Sequence, residues 1–181
     1  MFEIRFVNPN QLFEDCVAAL IQIFIQKKMA ILAQLEESTF DEYVPVAVSE
    51  IGFADEHGTE GMLKLKSSGS SIFAMRAFSG EVAMHISRFA RGDRSSIPSI
   101  FNIIEELAEK NGLHLARVEV YPSGNVLRSD MKFVGKDAEI VLDGYRASDA
   151  IALALFYDAP IFLHRSLLEE ESKKSASQDG P

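Results

Sequence analysis

The stretch Asp143-Gly-Tyr-Arg-Ala-Ser-Asp-Ala-Ile-Ala-Leu-Ala-Leu-Phe-Tyr-Asp-Ala-Pro-Ile-Phe-Leu163 decides the fold. Asp143, Arg146, Ser148 and Asp149 crowd its first seven positions, an apolar run follows, and Asp158-Ala-Pro160 separates that run from Ile161-Phe-Leu163. The preceding Ala138-Glu-Ile-Val-Leu142 is expected to be a strand ending at Asp143. The order is therefore strand, polar turn, buried helix, returning strand. Ser148 is the expected N-cap, and Asp149 suits the positive end of the helix dipole. Asp158 and Pro160 end the helix. In an architectural turn Arg146 pairs with Asp143 or Asp149. In a functional turn it holds a phosphate at the helix N-terminus, where backbone N–H groups already favour anions.

Working outward, the pattern alternates strands and helices. Tyr43 to Phe53 reads as a strand with Val44, Val46 and Val48 on one face. Ala54-Asp-Glu-His-Gly-Thr-Glu60 is a turn, and Met62, Leu63 and Leu65 begin a returning strand. Asp55, Glu56 and His57 are metal-ligand types crowded into that turn, where a solvated hairpin tip is the simpler reading. Ile72 to Phe78 is a strand and Ser79 to Arg91 a helix, with Val82, Ile86 and Phe89 as its apolar stripe. Glu81, His85 and Arg88 share a second stripe. Ser95-Ser-Ile-Pro98 reads as the start of a further helix, buried through Ile100, Ile103, Ile104 and Leu107 and stopped at Asn111-Gly112. His114 to Tyr121 alternates as a strand, and Val126 to Phe133 continues the sheet.

The ends of the chain differ from its middle. Residues 11–37 read as a long helix that is apolar on nearly every face between Cys16 and Ile25. Such a helix must be buried, in its own domain or in a contact between copies. The division expected is an N-terminal helical extension over 1–42, a domain over 43–168, and a disordered polar tail over 169–181.

Composition narrows the class. Hydrophobic residues make up 47% of 181, enough for a real core, and no apolar run is long enough to span a membrane. The N-terminus lacks the pattern of a secretory signal, and a lone Cys16 makes no internal disulfide, so a cytoplasmic protein is expected. The net charge of −9 argues against broad clamping of nucleic acid, which needs many Lys and Arg on phosphates. It leaves room for a local basic site. Glycine-rich phosphate loops, paired-Cys zinc patterns and a nucleophile elbow are all absent.

The stretch from Asp143 to Phe162 resembles the signature of the bifunctional nuclease family, where the turn reads Asp-x-Arg-Pro-Ser-Asp-Ala and the exit Ala-Pro-Ile. A weaker likeness runs from Val44 to Leu168, and Gly80-Glu-Val-Ala83 is similar to the family's Glu-Ala segment. Two departures matter. Ala147 replaces the signature proline, and Pro98 and Ser99 stand where the family shows His-Asp. The resemblance implies an α+β domain: a mixed, largely antiparallel sheet flanked by helices, often oligomeric, with an added N-terminal helix here. It implies hydrolysis of DNA or RNA phosphodiesters. Glu81, Asp143, Arg146 and Asp149 are then the candidate catalytic residues, and Arg88, Arg91 and Arg94 the candidate nucleic-acid contacts. A divalent metal such as Mg²⁺ or Mn²⁺ is the candidate cofactor. The alternative is a non-catalytic oligomeric module that binds a small anionic ligand or a protein partner.

Overall fold

Alternation of Val44, Val46 and Val48 with exposed neighbours makes the first strand, and the same rule builds the rest of the sheet. The computed structural model describes residues 42–178, with side chains through residue 171. The helix expected over 11–37 and Cys16 lie outside them. Strands are β1 (Tyr43–Phe53), β2 (Glu60–Ser67), β3 (Ile72–Ser79), β4 (Leu113–Ser123), β5 (Val126–Gly135), β6 (Glu139–Arg146) and β7 (Ile161–His164). Helices are α1 (Gly80–Ala90), α2 (Ile100–Lys110), α3 (Ala147–Tyr157) and α4 (Arg165–Gln178). Among the described residues the strands form one seven-stranded sheet in the order β3-β2-β1-β7-β4-β5-β6. Every pairing is antiparallel except β4 with β7, where Val118, Glu119 and Val120 face Ile161, Phe162 and Leu163. The fold is α+β, as the resemblance implied.

Helix α3 is the centre of the core. Ala147, Ser148, Ala150, Ile151, Ala152, Leu153, Ala154 and Phe156 are all buried. A helix apolar on every face has to be surrounded, and its alanines let neighbours come close. Phe156 packs edge-on to Phe89, centroids 5.0 Å apart, and Phe89 meets Phe101 at 5.0 Å. Full burial of a Phe or Leu contributes about 1.5–3 kcal/mol. Asp158 in the left-handed region (φ 57°) then ends the helix, as the Asp-Ala-Pro pattern predicted.

Four expectations are corrected. The strand expected to stop at Asp143 continues to Arg146, because a bulge absorbs Asp143 and Gly144. Ser148 is therefore not the N-cap; Arg146 is, and Ser148 is buried one turn position inside the helix. Helix α2 starts after Ser99 rather than at Ser95, because Asn102 Oδ1 accepts from the Ser99 N–H at 2.9 Å and closes the first turn. Its buried residues are Phe101 and Ala108, while Ile100, Ile103 and Leu107 stay exposed. Helix α4 runs from Arg165 to Gln178. Leu167 and Leu168 anchor its first turns in the core.

Candidate functional site

Two β-bulges shape the site. On the β2–β3 pair, Gly61 faces Phe78 and Leu63 faces Met75, so β3 carries an extra residue at Arg76–Ala77. On the β5–β6 pair, Ser129 faces Tyr145 and Met131 faces Leu142, so β6 carries one at Asp143–Gly144. Ala77 takes φ 60° and Gly144 φ 73°. Left-handed backbone is free to glycine but costs alanine about 1 kcal/mol. The neighbours hold both bulges. Glu60 Oε1 accepts from the Ala77 N–H at 3.2 Å. Asp130 Oδ1 accepts from the Gly144 N–H at 2.9 Å and from the Tyr121 hydroxyl at 2.8 Å. Burial, with that bond to Asp130 next, pushes the Tyr121 hydroxyl above its ordinary range, so it stays a donor. A bulge bends its strand and re-aims the adjacent side chains. Here those side chains are Arg76 and Arg146.

The β3 bulge and the last residue of β6 line one cleft. The sheet curls so that its two edge strands, β3 and β6, both reach this cleft, which has a volume of about 560 Å³. Arg76, Phe78, Arg128, Arg146, Ala147 and Ser148 are among its lining residues. Arg128 and Arg146 are direct cross-strand partners. Like charges placed so are destabilising by up to about 1 kcal/mol unless something negative lies between them. Arg128 donates to the Gly144 carbonyl at 3.3 Å. Arg146 donates from Nε to Asp149 Oδ2 at 2.7 Å, which leaves its terminal amino groups for a ligand. Arg76 has no ion-pair partner among the described residues. The N-cap of α3 offers no side-chain hydrogen bond, so the first-turn N–H groups at Ala147 and Ser148 join the positive wall. Three guanidiniums and an uncapped helix start thus line the same cleft.

The expected residues divide. Arg146 lines the cleft and Asp149 orients it. Asp143 sits exposed in the β6 bulge, and Glu81 is exposed in the first turn of α1 with its N–H donated to Ser79 Oγ; neither is among the lining residues. Arg88 is tied into the loop after α1, bonding Asp93 at 3.3 Å, Ser96 at 3.4 Å and the Ile97 carbonyl at 3.3 Å. Ser96 bonds first, then Arg88, hold the Asp93 carboxyl below the usual range. Arg91 and Arg94 lie on that loop, away from the cleft lining. His85 stacks on Phe89 and tilts against Phe101 at 5.2 Å, and its buried Nδ1 has no hydrogen bond, so it does not pair with Glu81. Arg76 and Arg128 were not anticipated. Their one trace in sequence is an arginine interrupting each of two apolar strands, Phe73-Ala-Met-Arg-Ala-Phe78 and Val126-Leu-Arg-Ser-Asp-Met131.

A divalent metal does not fit this donor set. No carboxylate or histidine is among the cleft-lining residues, and Asp149, next in sequence to Ser148, is engaged by Arg146. Among the described residues no three His, Cys, Asp or Glu side chains converge closely enough to hold an ion. No helix among them is long and apolar enough to cross a membrane.

Comparison with curated proteins finds no match. The profile of the bifunctional nuclease domain matches residues 77–176. That span begins at the β3 bulge and takes in α1, α2, the strands β4 to β7 and α3. It includes Arg128, Arg146 and Asp149, and starts one residue after Arg76. The bulge, the arginine pair and the start of α3 thus fall within one family pattern, and the chain belongs to the bifunctional nuclease domain family.

Proposed function

We propose that the arginine cleft binds a phosphodiester of DNA or RNA and that the domain hydrolyses it there. The observation that carries this reading is the cross-strand pair Arg128 and Arg146 at the uncapped start of α3. Attack on a phosphodiester gathers negative charge on the phosphoryl oxygens. Preorganised guanidiniums and backbone N–H groups stabilise that charge more than the ground state, which is what lowers the barrier. Asp149 fixes Arg146 in the first turn of α3, so its orientation need not be found at the moment of reaction.

A second reading is a module that binds a small phosphorylated ligand without cleaving it. One observation favours it: the lining residues include no Asp, Glu or His to act as a base. The Pro98-Ser99 pair points the same way, since Ser99 serves as the N-cap of α2.

Cleavage of end-labelled single- and double-stranded DNA and RNA, with Mg²⁺, Mn²⁺ or chelator, separates the two. Cleavage that falls at least about tenfold in Arg128→Ala, or roughly 1.4 kcal/mol in the barrier, supports hydrolysis at the cleft. Absent cleavage with saturable phosphate binding selects the module. Cleavage unchanged in Arg128→Ala removes the chemistry from the cleft.

A further inference from the structure

Phosphate recognition accounts for the arginines of the cleft but not for the rest of its lining. Beside them stand Phe78 on β3 and Val126 and Leu127 at the start of β5. Phe78 is half-buried and Val126 is 52% exposed, so apolar surface is left open where a purely anionic ligand has no use for it. The volume of about 560 Å³ also suits a small organic molecule, whose pockets run to roughly 300–1,000 Å³, better than a phosphate group alone. Asn125, exposed beside the β4–β5 turn, adds an amide that both donates and accepts.

Phe78 is held from two sides. It faces Gly61 across the β2–β3 pair, and a Cβ on Gly61 would overlap its ring. The missing side chain is the seat on which the ring lies. The residue before it, Ala77, is the left-handed position of the β3 bulge, with its N–H bonded to Glu60. An aromatic ring fixed in the same cleft as three guanidiniums suits a nucleotide, whose phosphate goes to the arginines and whose base goes to the ring. Every base has a π-face, so such stacking is indifferent to sequence. It needs a base that is free. In a duplex the bases stack on each other and show only their edges in the grooves.

We propose that the cleft takes an unpaired nucleotide of a single strand, with Phe78 stacking on its base while Arg128 and Arg146 hold its phosphate. This rests on the phosphodiester reading above and narrows its substrate class to single-stranded nucleic acid. Phe78 is then a specificity-determining residue.

Fluorescence anisotropy of the full chain tests it with three labelled probes: a single-stranded DNA oligonucleotide, the same sequence as a duplex, and a strand of equal length built of abasic sites. The single strand should bind at least about tenfold more tightly than the other two. Phe78→Leu keeps an apolar side chain on Gly61 but no ring. It should weaken the single strand about tenfold and leave the abasic strand unchanged, while Phe78→Tyr should bind as the wild type does. Equal weakening of both strands by Phe78→Leu would mean that the residue only shapes the cleft, and overturns the proposal. So does a duplex bound as tightly as the single strand, or a single strand indifferent to Phe78→Leu. In those cases the phosphate reading still stands if Arg128→Ala with Arg146→Ala weakens binding. Binding indifferent to both arginines, or no binding of any probe, overturns the two together.

Discussion

Arg146 is held at Nε by Asp149 but is 66% exposed at its side chain, so the pair itself adds little stability. Its consequence is orientation: the guanidinium is fixed beside Arg128 at a helix start. Other residues are placed for packing alone. Tyr157 lies edge-on to Phe133 and Phe156, and its buried hydroxyl has no hydrogen-bond partner. Burial, with Glu105 and Glu109 adding to it, pushes that hydroxyl from 10.0 up to about 12. The neutral form is therefore favoured on folding. Stability from this group is complete below pH 10.0 and is lost as pH rises toward about 12. Tyr43, raised to about 12 mainly by burial, acts in the same window. Tyr157→Phe keeps the ring and removes an unsatisfied donor. Urea unfolding should show unchanged or higher stability at neutral pH, and a shallower alkaline loss than the wild type. A loss of more than about 1 kcal/mol at neutral pH would show that the hydroxyl has a partner after all.

At the scale of elements, α1 begins where the chain can only be glycine. A Cβ on Gly80 would lie 1.8 Å from the Gly58 carbonyl oxygen, and the Gly80 N–H donates to the Thr59 carbonyl at 2.9 Å. The β1–β2 hairpin tip is pressed onto this helix start, and Asp55 keeps the tip closed by accepting from the Thr59 and Glu60 N–H groups. Gly80→Ala should destabilise by about 3 kcal/mol, through backbone displacement rather than lost packing, read as a fall in the urea midpoint. A cost under about 1 kcal/mol would mean that the hairpin tip yields easily. The strands β1 to β5 were legible because alternation is written into Val44-Pro-Val-Ala-Val48 and His114-Leu-Ala-Arg-Val118. The end of β6 was not, because a bulge breaks alternation and resembles a turn. The buried side of α2 was misread for a different reason. Periodicity tells which residues share a face, not which face meets the core, and Phe101 and Ala108 face inward here.

At the scale of the whole molecule, a chain of net charge −9 gathers three arginines in one cleft. Arg76, Arg128 and Arg146 are far apart in sequence and meet because the sheet curls until its two edge strands share a cavity. Arg146 could be singled out because it sits in a recognisable motif. Arg76 and Arg128 could not, since only the topology brings them to it. The acidic remainder of the surface should repel an extended duplex, so recognition should be local. The most direct measurement is fluorescence anisotropy of a labelled single-stranded oligonucleotide, titrated at several low salt concentrations. The wild type should bind with a logarithmic salt slope of about −2, three contacts at roughly 0.7 each. Arg128→Ala with Arg146→Ala should weaken it about a hundredfold, near 1.4 kcal/mol for each arginine. Binding unchanged in that double variant, or abolished instead by Arg91→Glu with Arg94→Glu, would contradict the assignment of phosphate binding to this cleft.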